Sequence, residues 1–118
     1  MSEITFEEYR NRICQIEPDD HCPVQVLIGI LSKKWNLRVI FELTKCDVVR
    51  FGELRKRLGD ITNASLSATL KDLEEHGFVS RKQFNEIPPH VEYALTEKGK
   101  MLYPVFATMS DWCGTYGK

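Results

Sequence analysis

Between residues 63 and 71 the chain sets Asn63, Ala64, Ser65, Ser67, Ala68 and Lys71 beside a leucine stripe formed by Leu66, Leu70 and Leu73. At about 100° per residue, Ala64, Ser67, Ala68 and Lys71 fall opposite the leucines, while Asn63, Ser65 and Thr69 flank them. Short hydroxyl, amide and alanine side chains let a helix approach base edges and phosphates closely, and a lysine supplies charge to a phosphate. Asp72, Glu74 and Glu75 collect in the C-terminal half, away from that face. A second group able to meet phosphate is Arg81, Lys82 and His90. The plainer reading is an amphipathic helix with a solvated face, followed by an edge hairpin whose basic residues discourage aggregation.

The elements that must hold these groups follow from periodicity. FGELRKRL places Phe51, Leu54 and Leu58 on one face, which predicts a helix, and Gly59 stops it. Ile61 is the apolar peg between two crossing helices, and Thr62 suits an N-cap. The second helix spans 63–76, with Gly77 as its stop. Residues 78–84 and 91–95 alternate as strands, and Asn85 to His90, with two prolines, forms the tip between them. Arg50 and Phe51 are expected to form a short edging strand. Helix, turn, polar-faced helix and ribbon together spell a winged helix-turn-helix, a mainly α fold with a small β-ribbon (α+β). In such a fold the second helix enters the DNA major groove and the ribbon grips the flank. Thr62, Asn63, Ala64, Ser65, Ser67, Ala68, Lys71, Arg81, Lys82 and His90 are the candidate DNA contacts.

A family pattern recurs in order along these residues: Cys22-Pro23-Val24, Lys34-Trp35, Phe51-x-Glu53-Leu54, Ile61-Thr62, Leu70-x-x-Leu73-Glu74-x-x-Gly77, and Pro88-Pro89-x-Val91-Glu92-Tyr93-x-Leu95-Thr96-x-x-Gly99. The sequence resembles the HxlR-type bacterial transcription regulators over about residues 22 to 106. This resemblance implies a homodimeric winged-helix DNA-binding protein, frequently one that senses oxidants or electrophiles through a cysteine. Two departures bear on DNA contact rather than on fold. Asn63, Ala64 and Ser65 stand where the family commonly offers Gln or Arg, and His90 stands where Arg is usual.

The 118 residues amount to one domain (1–118), with an N-terminal helical extension at 1–20, a winged-helix core at 21–96 and a C-terminal dimerisation helix at 97–118. A hydrophobic content of 42% and a charged content of 28% are ordinary for a globular chain. No apolar run reaches membrane-spanning length and the N-terminus lacks the form of a secretory signal, so no membrane partner and a cytoplasmic location are expected. The net charge of −1 hides an asymmetry: residues 1–22 hold six acidic and two basic groups, the remainder fourteen basic and eleven acidic. Because screening makes the near field decisive, a weakly basic body can still bind phosphate through a thin local patch.

Both ends read as dimer-forming helices. Thr5 and Glu8 form a capping box ahead of a helix from about Phe6 to Ile16, with Tyr9, Ile13 and Ile16 on one face. Leu102, Val105, Met109, Trp112 and Tyr116 alternate spacings of three and four, and Pro104 signals a kink or a late helix start. Packing across a two-fold axis explains these stripes; folding back on the same subunit is the alternative.

Cys14, Cys22, Cys46 and Cys113 have no C-x-x-C spacing, and His21, His76 and His90 do not complete a zinc pattern. No metal or cofactor is expected. Cys22 precedes Pro23 at a helix start, where free amides favour a thiolate, so it is the redox-sensing candidate; a buried apolar cysteine is the alternative. Cys113 could be its resolving partner from the other subunit. No catalytic triad, phosphate loop or carboxylate pair is present, which excludes an enzymatic reading. The sequence thus points to a homodimeric regulator on double-stranded DNA with a pseudo-palindromic operator. A winged-helix module that binds a protein partner is the alternative.

Overall fold

The computed structural model describes residues 4–14 and 22–117. The chain forms two compact units, residues 1–32 and 33–118. The division falls after Ser32, so the helix that begins at Pro23 lies in the first unit.

The first unit holds α1 (Phe6–Cys14) and α2 (Pro23–Leu31). Thr5 caps α1 by accepting from the Glu8 amide at 3.1 Å, as the capping box requires. Ile16 lies outside the described residues. Helix α2 starts on Cys22, its N-cap, with proline in the first turn, where a missing N–H costs nothing. None of its nine residues is buried.

The second unit contains α3 (Asn36–Thr44), β1 (Val49–Arg50), α4 (Phe51–Leu58), α5 (Asn63–Glu75), β2 (Val79–Phe84), β3 (His90–Leu95), α6 (Glu97–Lys100) and α7 (Tyr103–Tyr116). The edging strand is one residue earlier than expected: Val49 and Arg50 form it, and Phe51 already opens α4. The sheet is antiparallel throughout, in the order β1-β3-β2. Its core is the meeting of α3, α4 and α5: Val39, Ile40 and Leu43 face Leu54, Leu58, Leu66, Leu70 and Leu73, all buried, with Ile61 buried in the turn between α4 and α5. Each such side chain contributes about 1.5–3 kcal/mol on removal from water, an upper bound because the unfolded chain already buries part of it.

Helix α5 ends in a Schellman motif. Gly77 takes φ +83, a left-handed conformation that only glycine adopts cheaply. The Phe78 amide then donates to Leu73 O at 2.9 Å and the Gly77 amide to Glu74 O at 3.0 Å. The Thr96-x-x-Gly99 block closes on this same corner. Thr96 Oγ1 donates to Gly77 O at 2.6 Å and accepts from the Gly99 amide at 3.1 Å, while the Thr96 amide donates to Phe78 O at 3.1 Å. The most distinctive motif in the sequence is therefore a clasp that fixes the returning strand to the end of α5. Pro104 sits in the first turn of α7 and marks a late start rather than a kink. Phe106 lies against Phe41 of α3, ring centroids 5.3 Å apart, and no residue of α7 is buried.

Candidate nucleic-acid interface

The polar face expected of α5 is formed and exposed. Thr62 caps α5 by accepting from the Ser65 amide at 3.0 Å, which satisfies an otherwise free donor. Asn63, Ala64, Ser67, Ala68 and Lys71 are exposed, opposite the buried leucines; Ser65 is half-buried and Thr69 is buried. No charge of either sign precedes Lys71 on the helix, so a negatively charged backbone can come close to its N-terminal half.

The basic groups of the ribbon do not form one patch. Strand side chains alternate between faces, so neighbours in sequence point apart. Arg81, in register with Tyr93, shares a face with Gln83, whose Oε1 accepts from Arg81 Nη2 at 3.4 Å. Lys82 is on the other face, opposite Glu92, which also faces Arg50 across β1. His90 belongs to that face too. Its ring stacks on Phe84 with centroids 4.6 Å apart, while Nε2 is 3.2 Å from Glu92 Oε2 and Nδ1 is 3.9 Å from Glu86 Oε2. Lys82 Nζ lies 5.0 Å from the centre of the same Phe84 ring. With its side chain 14% exposed between two carboxylates, His90 is engaged within the ribbon and is poorly placed to meet a phosphate.

Sequence reasoning missed the groove that α5 borders. An open groove of about 600 Å³ runs beside α5, lined by Ser65, Ala68 and Lys71 on one side and by Lys33, Lys34 and Trp35 on the other. Lys34 Nζ and the Arg38 guanidinium carbon lie 5.4 and 4.7 Å from the Trp35 ring centre. Lys33 Nζ is 3.2 Å from Asp72 Oδ1, and the buried Asn36 donates from Nδ2 to Asp72 Oδ2 at 2.9 Å. Asp72 is held below the ordinary carboxylate value of 3.8, first by the Asn36 hydrogen bond and then by Lys33 and His76, against an opposing effect of burial. The doubled lysine before Trp35 was the available signal; only the fold shows that it lies beside α5.

Cys22 is buried, 8% exposed, Cys46 is half-buried and Cys113 is exposed, and all three are free. Cys14 closes α1. Among the described residues no group of three or more His, Cys, Asp or Glu could hold a metal ion, and no helix is long and apolar enough to cross a membrane.

A family model described as HxlR-like helix-turn-helix matches residues 30–118. The chain belongs to the HxlR-like helix-turn-helix family. An HTH-type transcriptional regulator of Halalkalibacterium halodurans is 33% identical over 109 residues, covering 92% of this chain and 94% of its own. One from Methanothermobacter thermautotrophicus is 38% identical over 96 residues, covering 81% and 72%. Among solved structures, the reduced form of the regulator YodB from B. subtilis superposes with a TM-score of 0.72 at 34% identity, covering 82% of this chain and 95% of that one. The redox regulator HypR in its oxidised form gives 0.72 at 32% identity, covering 82% and 99%. As an HxlR-like protein, the chain is a winged-helix transcription regulator that binds DNA and not an enzyme.

Proposed function

We propose that the chain acts in the cytoplasm as a homodimeric, sequence-specific regulator, a single winged-helix domain whose terminal helices make the dimer. Helix α5 enters the major groove of a pseudo-palindromic operator through Thr62, Asn63, Ala64, Ser65, Ser67, Ala68 and Lys71. Arg81 and Lys82 meet the flanking backbone, and His90 braces the tip against Phe84. The observation that carries this reading is the exposed polar face of the acid-free N-terminal two-thirds of α5, which ends on Lys71 and has Lys34 across the groove. The dimer is supported by α7, where Val105, Met109, Trp112 and Tyr116 are exposed at 42, 48, 58 and 70%. Tyr9 and Ile13 of α1 are exposed as well, whereas Leu102 is buried at the N-cap of α7. An apolar stripe on a helix with no buried residue calls for a partner surface, and a second copy supplies an identical one. The two recognition helices would then read half-sites about one helical turn apart.

Cys22 is the sensing thiol in this reading. It is free and occupies the N-cap position of α2, and a redox regulator is among the structural relatives. Fluorescence anisotropy tests both parts. Reversing charge with Lys71→Glu or Arg81→Glu should weaken binding to a selected duplex, and mild thiol oxidation should weaken the wild type but not Cys22→Ser. Unchanged affinity in Lys71→Glu would place the interface elsewhere on the molecule. Equal responses of wild type and Cys22→Ser to oxidant would remove the sensor.

A further inference from the structure

Five charges border the groove beside α5: Lys33, Lys34 and Lys71 against Asp72 and Glu75. One pair is already joined, Lys33 Nζ lying 3.2 Å from Asp72 Oδ1. The carboxylate is held in place. Its other oxygen accepts from Asn36 Nδ2 at 2.9 Å, and His76 Nε2 stands 3.5 Å from Oδ1. Asn36 is itself 2% exposed at the start of α3, so the anchor cannot drift. Lys33, by contrast, has a side chain 59% exposed on a flexible stem. A fixed anion thus holds a movable cation at the edge of the DNA-facing helix.

We propose that Asp72 is a built-in competitor of the DNA backbone for Lys33, and that it sets how tightly this regulator grips DNA. The proposal rests on the reading that the α5 face meets the duplex. In the free protein the carboxylate holds the Lys33 ammonium. On DNA a phosphate must draw the ammonium away while facing the carboxylate left behind, and exchanging one counter-charge for another returns little net attraction. Lys33 is therefore held in reserve, and Lys34 and Lys71 carry the grip on this wall. Asp72 acts through Lys33 and is a positioning residue, not a DNA contact.

Asp72→Asn separates charge from shape, because the carboxamide still accepts from Asn36. Released from its partner, Lys33 should neutralise one more phosphate per subunit. The plot of log Kobs against log salt then steepens by about 0.9 per subunit, and affinity rises about eight-fold per subunit at roughly 0.1 M salt relative to the 1 M reference. Anisotropy on a duplex selected from random sequence by the wild-type protein reads both quantities. In the double variant Asp72→Asn with Lys33→Met the extra slope should vanish. Lys33→Met alone should leave the wild-type slope unchanged. A slope that fell by about 0.9 in that single variant would show Lys33 already on phosphate, and would overturn the proposal even if Asp72→Asn failed to fold. An unchanged or shallower slope in folded Asp72→Asn would overturn it too. Lys71→Glu in the same assay separates the two levels. If it weakens binding while Asp72→Asn changes nothing, only the competition is wrong; if it has no effect, the placement of the interface and the competition fall together.

Discussion

Adding one methyl group at Gly99 should damage this protein, whereas the same methyl at Gly52 should strengthen it. A Cβ on Gly99 would lie well inside van der Waals contact of Phe78 O, with Leu95 Cδ2 a further 3.1 Å neighbour. That carbonyl cannot yield freely, since it accepts from the Thr96 amide at 3.1 Å and follows directly on the Schellman turn that ends α5. Overpacking of this kind costs about 1–3 kcal/mol, and loosening the Thr96 bond adds about 0.5–1.5 kcal/mol. Together they make about 1.5–4.5 kcal/mol, which at about 4 °C per kcal/mol for a chain of this size lowers Tm by about 6–18 °C. Gly52 is the second residue of α4, with nothing within 4 Å of an added Cβ. There, in the first turn, alanine gains up to about 0.5 kcal/mol of helix stability, the low end of the mid-helix value, and raises Tm by up to about 2 °C. Thermal unfolding by far-UV circular dichroism measures both, at one protein concentration because an oligomer's Tm depends on it. A Gly99→Ala protein melting within about 2 °C of wild type would refute the claim that the Thr96-x-x-Gly99 clasp is filled to contact at that point.

Other consequences are as direct. Thr62→Ala removes the acceptor of the Ser65 amide and should cost about 1 kcal/mol in chemical unfolding, with Thr62→Ser restoring most of it. Replacing both Val105 and Trp112 by aspartate should turn a dimer into a monomer in light scattering, because both lie on the exposed stripe of α7; a dimer that persists would place the contact elsewhere. The folded-state pKa of Asp72 is lowered, so its stabilisation is fully present above the unfolded value near 3.8 and is lost as pH falls through the folded one. The urea midpoints of wild type and Asp72→Asn should therefore differ at neutral pH and converge in acid, and a gap that widened on acidification would contradict the Asn36–Asp72–Lys33 arrangement.

The helix-turn-helix was legible because its signals are local. Leucines at helical spacing, Gly59 and Gly77 at the stops and Thr62 at the cap each act within a turn of their own position, and the boundaries of α4 and α5 follow from them. The edging strand was displaced by one residue because its pairing with Tyr93 and Glu92 is a long-range choice that two residues of sequence cannot announce. His90 read as a phosphate contact because its register opposite Phe84, and its position between Glu86 and Glu92, exist only once β2 and β3 pair. For the same reason Arg81 and Lys82, adjacent in sequence, part to opposite faces when the strand forms.

By itself the sequence determined helices α4 and α5, the family and the apolar stripes, since these depend on periodicity and on motifs a few residues long. Tertiary structure alone decided the electrostatics of the groove beside α5. Lys33 and Asn36 meet Asp72 across 39 and 36 residues of chain. Coulomb attraction falls with distance in space, not with separation in sequence, so only packing α3 against α5 could join those charges.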